Sequence, residues 1–323
     1  MPPQETPFET EIVPYGPDGI ARAAALILEG LPVAMPTETV YGLAADATNE
    51  EAVARVYAAK GRPGFNPLIV HVRDRDHAES LGVWFPEAAR DLARLHWPGP
   101  LTIVLPVNPF TNIARNVTAG LDTIALRAPA HAALRDLLDA TGRPLAAPSA
   151  NASGAISPTT AEHVLLSLNG RIPMVVDAGA SELGLESTII KIRDDVLTVL
   201  RAGPIDPDSI GGYALLKHSA KWTEKIEAPG QLARHYAPSK PLRLEAEDAR
   251  ADEWLIGFGP VAGEDSLSPS GDLAEAAASL FAALHRADLS PRARIAVAPV
   301  PQEGIGRAIN DRLARAAARW EEG

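Results

Sequence analysis

Apolar residues recur along this chain with two different periods, in blocks separated by glycine and proline. Residues 18–29 have helical spacing around Ala23-Ala-Ala-Leu-Ile-Leu28, with Gly30 as the expected stop. Residues 31–35 form a short apolar run that reads as a buried strand. The hydroxyl-rich Pro36-Thr-Glu-Thr-Val-Tyr-Gly-Leu43 follows it. Helical spacing returns over 49–59, with Thr48 or Asn49 as the cap and Glu50 and Glu51 in the first turn. Strands are expected over 68–72, 101–107, 122–127, 174–177, 187–192 and 196–200, and another runs from Leu145 into a loop of small polar residues. Helices are expected over 86–95 and 131–140, and from a Thr160 cap to Leu168. Residues 1–16 read as a loose leader.

Strands outnumber helices and come in mixed order, which predicts an α/β fold of the mixed α+β kind. The catalytic-looking part extends over 1–216. Residues 217–245 lack periodicity, carry Pro229-Gly230 and His235-Tyr-Ala-Pro238, and read as a long linker of the functional or flexible sort. From 246 the pattern restarts as strand (254–258), helix (273–285), strand (295–298) and helix (305–320). That is a small C-terminal α/β domain of Rossmann-like character, over 246–323.

A chain of 323 residues has room for two such cores. No apolar run reaches the ~18 residues of a membrane span, and no basic-then-apolar leader suggests secretion. Cysteine is absent, which excludes disulfides, thiolate metal ligands and a cysteine nucleophile, and fits the cytoplasm. The net charge of −11 argues against a large nucleic-acid footprint and leaves room only for a local basic pocket.

The candidate chemistry centres on Lys60-Gly-Arg-Pro-Gly-Phe-Asn-Pro-Leu-Ile-Val-His71. Gly61, Pro63, Gly64 and Pro67 exclude a regular helix there. Lys60 and Arg62, two positions apart, point the same way on an extended backbone and suit a polyanion such as a triphosphate. Further polar groups gather at strand ends. They are Thr37, Glu38, Thr39 and Tyr41; Asn66 and His71; Thr123 and Arg127; Ser149, Asn151, Ser153 and Ser157; Glu186, Ser187 and Thr188; and Arg201. Taken singly, each also fits a bland role: a solvated loop, an ordinary turn, a core histidine, a salt-bridge arginine or a capping glutamate. The common phosphate-binding loops are absent, as are His-Glu-x-x-His and Gly-x-Ser-x-Gly.

The order of these motifs is specific. Pro36-Thr-Glu-Thr-Val-Tyr-Gly-Leu43, Lys-x-Arg-Pro63, His71, Trp97-Pro-Gly-Pro-Leu-Thr102, Arg127-Ala-Pro, Pro-Ser-Ala-Asn-x-Ser-Gly154, Glu-Ser-Thr188 and Leu-Arg-Ala-Gly203 follow one another. Together they resemble the YrdC-type threonylcarbamoyl-AMP synthase family over about residues 15–205. His235-Tyr-Ala-Pro238 and the added domain resemble its long two-domain form. The resemblance implies a YrdC-like catalytic domain with a twisted mixed sheet. It implies a nucleotidyltransferase that condenses L-threonine, bicarbonate or CO2 and ATP to threonylcarbamoyl-AMP and pyrophosphate, with Mg2+ accompanying ATP. A downstream tRNA threonylcarbamoyl-transfer complex would then modify the adenosine next to the anticodon, with no membrane and no stable nucleic-acid complex involved. By motif position, Lys60 and Arg62 lie along the triphosphate as the catalytic cations. Asn66, Thr123, Ser149, Asn151, Ser157, Arg201 and Tyr236 complete the ATP site. Arg127 takes the threonine carboxylate, and Thr39, His71, Ala147 and Ser187 hold the rest of the amino acid.

Two rival readings remain at this level. A carbamoyl-transfer module like that of hydrogenase maturation factors is disfavoured by the missing zinc-finger cysteines. A non-catalytic RNA-binding or translation-associated factor of the same fold is disfavoured by the acidic net charge.

Overall fold

A computed structural model describes residues 8–108, 110–193, 196–210, 217–218 (backbone only) and 235–318. The chain opens with β1 (Glu11–Pro14), α1 (Pro17–Leu28), β2 (Val33–Met35), β3 (Gly42–Asp46) and α2 (Glu50–Lys60). Then come β4 (Ile69–His71), α3 (Arg75–Ser80), α4 (Glu87–His96), β5 (Leu101–Pro106), β6 (Thr123–Arg127) and α5 (Ala132–Thr141). They are followed by β7 (Leu145–Ala146), α6 (Ala161–Leu168), β8 (Met174–Asp177), β9 (Thr188–Arg193), β10 (Val196–Arg201) and β11 (Lys217–His218). The last part holds β12 (Leu242–Arg243), β13 (Glu253–Gly257), β14 (Asp265–Ser266), α7 (Leu273–Leu289), β15 (Arg294–Val297) and α8 (Gly306–Ala317).

The first eleven strands form one mixed sheet in the order β1-β8-β2-β3-β7-β4-β6-β5-β9-β10-β11. The last four form a second, all-parallel sheet in the order β12-β15-β13-β14. This is the expected mixed α/β architecture with a small parallel α/β unit after it. Within the predicted linker, residues 217–218 pair with β10 and residues 242–243 pair with β15. Pro229-Gly230 and Trp320 lie outside the described residues.

The expected leader differs from the observed structure. Its residues 11–14 are β1, an edge strand in parallel register with β8, too short and too exposed for its alternation to show. β3 is a second difference. Gly-Leu-Ala-Ala-Asp has no β-branched residue, yet it is buried throughout between β2 and β7. The polar α3 had no apolar period to betray it; Asp74 caps it by accepting from His77 N at 2.8 Å.

The apolar core has a layer on each face of the large sheet. On one face α1 and α5 bring Ile20, Ile27, Leu134 and Leu138 onto Val33, Met35 and Met174. The second sheet has its own core around Leu280, Phe281, Leu284 and Leu313, but Val40, Ile156 and Leu185 from the first part also belong to it. Gly184 makes that approach possible. Its φ is +63°, and a Cβ there would sit 2.4 Å from the Ala278 carbonyl oxygen. The two parts therefore share one apolar interior. Among the described residues no helix is long and apolar enough to cross a membrane.

Candidate functional site

β4 and β6 run parallel in register, so His71 lies beside Arg127 at the same end of adjacent strands and on one face. β7 flanks them, and Ala147 N donates to Ile69 O at 3.0 Å. Beneath the site Ile69, Val104, Ala125, Ile189 and Leu200 make a small apolar floor.

The hydroxyl-rich turn after β2 wraps itself around Thr37. Thr37 Oγ1 accepts from Thr39 N at 3.1 Å and Val40 N at 3.2 Å, and donates to Val40 O at 2.6 Å. With that single proton used, Thr39 donates to Thr37 Oγ1 at 2.8 Å and accepts from Arg127 Nη1 at 3.0 Å. Arg127 Nε donates to Gly99 O at 3.2 Å, and Nη2 lies 2.6 Å from Glu38 Oε1. Both members of this ion pair are buried. Burial pushes the Glu38 carboxyl up, but the charge and hydrogen bond of Arg127 outweigh it and hold it below its usual range. His71 is pushed down to about 3, by burial first and the Arg127 charge second, so it is a neutral imidazole at neutral pH. Its Nδ1 has no hydrogen-bond partner among the described residues.

Lys60 and Arg62 reach the site differently. Asn49 caps α2 by accepting from Glu51 N and Ala52 N, and Gly61, with φ 60°, ends the helix in the left-handed region. The Lys60 ammonium then donates to the carbonyls of Ser149 and Asn151, tying the helix end to the small-residue loop. Burial and the neighbouring Arg62 push its pKa well down. Arg62 turns the other way. It lines the cavity and is anchored by Nε to Asn66 O at 3.1 Å and Nη2 to Pro67 O at 2.8 Å. Burial pushes its guanidinium down to about 10.

A register shift in β10 between Val199 and Arg201 re-aims Arg201 toward the same space. Arg201 Nε donates to Ser187 O at 3.0 Å and Nη2 to Ser187 Oγ at 3.1 Å, while Thr102 Oγ1 lies 2.7 Å from that hydroxyl. Gly203 permits the tight packing behind it, since a Cβ there would stand 2.4 Å from Thr188 N. The far wall is His235-Tyr236. Ala237 N donates to Gly154 O at 2.9 Å, and the Tyr236 ring lies 5.5 Å from Phe281 of α7. Tyr236 itself has φ 64°. Burial, then the charges of Arg62, Lys60 and Arg201, keep His235 far below its ordinary value and uncharged.

These walls enclose a cavity of about 50 Å³. Of the residues singled out in the sequence, Thr37, Thr39, Arg62, His71, Arg127, Ala147, Ser149, Glu186, Ser187, Arg201 and Tyr236 line it. Lys60 lies behind the small-residue loop. Asn66 is buried in the Arg62 loop, with both amide atoms unpartnered among the described residues. Asn151 Nδ2 spans Ala152 O and Ala155 O, so its amide holds the loop together. Ser157 donates to Glu186 Oε1. Thr123 sits at the opposite end of β6 from Arg127, off the cavity wall. Sequence reasoning missed Arg312, whose Nε meets Glu186 Oε2 at 3.0 Å from α8. No local signal marks it. No cluster of three or more acidic or histidine side chains among the described residues is placed to hold a metal ion.

Comparison with known proteins follows the same geography. The Sua5, YciO and YrdC family model, described as "Telomere recombination", matches residues 25–203. A second model, described as the C-terminal domain of threonylcarbamoyl-AMP synthase, matches 197–318. The threonylcarbamoyl-AMP synthase of Bacillus subtilis is 40% identical over 92% of this chain and 92% of its own length. The one from Pyrococcus abyssi is 38% identical over 92% of this chain and 93% of its own. The crystal structure of P. abyssi Sua5 complexed with L-threonine superposes with a TM-score of 0.86 at 36% identity, covering 95% of this chain and 96% of that one.

Proposed function

The chain belongs to the threonylcarbamoyl-AMP synthase family, and from that membership we propose that it condenses L-threonine, bicarbonate or CO2 and ATP into threonylcarbamoyl-AMP and pyrophosphate. The observation that carries this reading is the meeting of Arg62, Arg127 and Arg201, from separate segments, at one cavity beside a neutral histidine. A triphosphate and a carboxylate call for cations on different walls of one site.

Arg127 receives the threonine carboxylate. Gly99 and Thr39 accept from two of its five N–H groups and Glu38 is paired with it by charge at 2.6 Å, which leaves donors for a carboxylate. Thr39, His71, Ser187 and the backbone at Ala147 hold the rest of the amino acid. A neutral His71 adds no positive charge beside an amine that must act as nucleophile. The amine nitrogen bonds to the carbon of CO2 and gives up a proton to solvent, or displaces water from bicarbonate, and an oxygen of the resulting carbamate then bonds to the α-phosphorus. The bond to the bridging oxygen breaks, and pyrophosphate leaves with the electron pair. Arg62 neutralises the departing charge directly, and Lys60 adds its charge from behind the loop. Ser149 and Arg201 on the cavity wall, with the unpartnered Asn66 amide beside Arg62, complete the nucleotide site, while Asn151 and Ser157 hold its loop and its carboxylate and Thr123 stands off the wall. Positioning and charge neutralisation dominate such a reaction.

The His235-Tyr236 wall is, in this reading, a lid over the nucleotide, and its closure shields the carbamate and the mixed anhydride from water. In this reading residues 1–216 are the catalytic unit, 217–245 the linker and lid, and 246–323 the wall against which the lid closes. The buried carboxylates Glu38 and Glu186 are already engaged by arginines, so the described residues offer Mg2+ no acidic cradle at the cavity. The ion arrives with ATP, held by phosphate oxygens. A cytoplasmic transfer complex then passes the threonylcarbamoyl group to tRNA.

The test is pyrophosphate release from ATP and bicarbonate with and without L-threonine, with the nucleotide product weighed by mass spectrometry. Threonine-dependent release with a threonylcarbamoyl-AMP mass is expected. Folded protein that releases nothing with any amino acid would overturn the reading.

A further inference from the structure

Arg312 is a charged residue on an amphipathic helix, yet its side chain is fully buried, with a relative exposure of 0%. A buried guanidinium is costly unless its donors are met. Here Nε donates to Glu186 Oε2 at 3.0 Å, and Nη1 lies 2.7 Å from Asp311 Oδ2. The guanidinium carbon lies 5.4 Å from the centre of the Tyr236 ring, within cation–π range. Both Glu186 and Tyr236 line the candidate site, whereas Arg312 does not.

Adhesion alone does not explain this arrangement. The two parts of the molecule already share an apolar interior through Val40, Ile156 and Leu185. A buried ion pair at such a place stabilises no better than well-packed apolar residues of similar volume. What the pair does alter is the electrostatics of the cavity. Among the described residues that line the cavity, Glu186 is the one carboxylate, and the others include Arg62, Arg127 and Arg201. Unpaired, it would face an incoming polyanion with a full negative charge, and it would compete with Ser187 for Arg201. Paired, its charge is met from behind, one oxygen is taken by Ser157, and the Arg201–Ser187 contacts stand undisturbed.

We propose that Arg312 is a positioning residue of the nucleotide site: by neutralising Glu186 from behind and seating the Tyr236 ring, it makes affinity for the nucleoside triphosphate, and not for the amino acid, depend on the second domain. The proposal rests on the ATP reading above.

The experiment is a double-mutant cycle on the full chain, with KM for ATP and KM for L-threonine measured separately by pyrophosphate release and a thermal melt of every variant. R312M is expected to raise KM for ATP tenfold or more while KM for threonine changes less than twofold. R312M/E186Q removes the uncompensated carboxylate and is expected to bring KM for ATP back to within threefold of the unsubstituted protein. Both KM values rising together in R312M, or a double variant as impaired as the single, would reduce Arg312 to a structural contact. Where R312M fails to give a native melt, R312K and the double variant decide. R312K keeps the cation and is expected within threefold for ATP; a tenfold rise with a native melt overturns the charge argument. Absence of threonine-dependent turnover in the unsubstituted protein would instead sink the ATP reading, and this proposal with it, before any variant is compared.

Discussion

Arg127 and Arg312 are both buried arginines held by a buried glutamate, at 2.6 Å from Glu38 and 3.0 Å from Glu186. They differ in where the partner comes from and in what is left over. Glu38 comes from the turn after β2 and Arg127 from the end of β6, both in the part built on the large sheet, and Arg127 keeps donors open toward the cavity. Arg312 reaches Glu186 from the second part of the chain, with Nε and Nη1 on carboxylates and Nη2 buried without a hydrogen-bond partner among the described residues. In the proposed reading one pair builds a binding surface and the other keeps a wall neutral, so that desolvating an arginine would serve recognition in one place and shape the field around the site in the other.

The largest effect expected from breaking this comparison is at Arg127. Arg127→Ala removes the carboxylate partner and leaves Glu38 buried and unpaired. We expect KM for threonine to rise on the order of a hundredfold with KM for ATP nearly unchanged, and stability to fall by about 3–5 kcal/mol. Steady-state kinetics and urea denaturation read both; equal effects on the two substrates would remove Arg127 from the amino-acid end. Arg62 is the control, a cavity arginine anchored only by backbone carbonyls. Arg62→Ala should cut pyrophosphate release more than tenfold with a native melt, because no buried carboxylate is orphaned. Near-normal turnover would take Arg62 out of the site.

The smallest effect is with pH and separates the two regions by stability. His71 at the threonine end and His285 at the domain junction both sit at about 3 in the fold against 6.5 ordinarily. Burial is the first cause for each. The next is the Arg127 charge for His71, and for His285 the charge of His163, whose ring stacks on it at 4.0 Å. Between those values the unfolded chain binds more protons, so stability is full above about 6.5 and is lost as the pH falls toward 3. Tm should therefore drop between pH 7 and 5. His285→Phe should remove the junction's share and leave a shallower slope from His71 and the other histidines that burial lowers. A slope unchanged by that substitution would mean the junction does not titrate.

Much of the threonine end was legible in the residue order. Thr37, Thr39, His71 and Arg127 could be picked out as polar groups at strand ends in motif order, but it is the parallel register of β4 and β6 that sets His71 beside Arg127 on one face. The Asn49 cap and Gly61 stop likewise announced where α2 delivers Lys60. Spacing did not show that Lys60 and Arg62 diverge, because Gly61 takes the left-handed region and breaks the extended geometry that would have aligned them. It also did not separate Asn151 and Ser157, which hold loops and carboxylates, from Ser149 and Ser187, which line the cavity.

Composition, periodicity and motif order, all local properties, were enough for the element types, the mixed α/β class and most of the cavity's side chains. Local forces act between residues a few positions apart, so their consequences stay visible in the string. Glu186 and Arg312 lie 126 positions apart, and α8 presents Arg312 in the sequence as one more charge among several. Only the packing of Leu185, Phe281 and Leu313 into a shared core carries that charge out of water and onto its partner. Burial is a property of the assembled volume, and that alone turned an ordinary helical arginine into part of the site's wall.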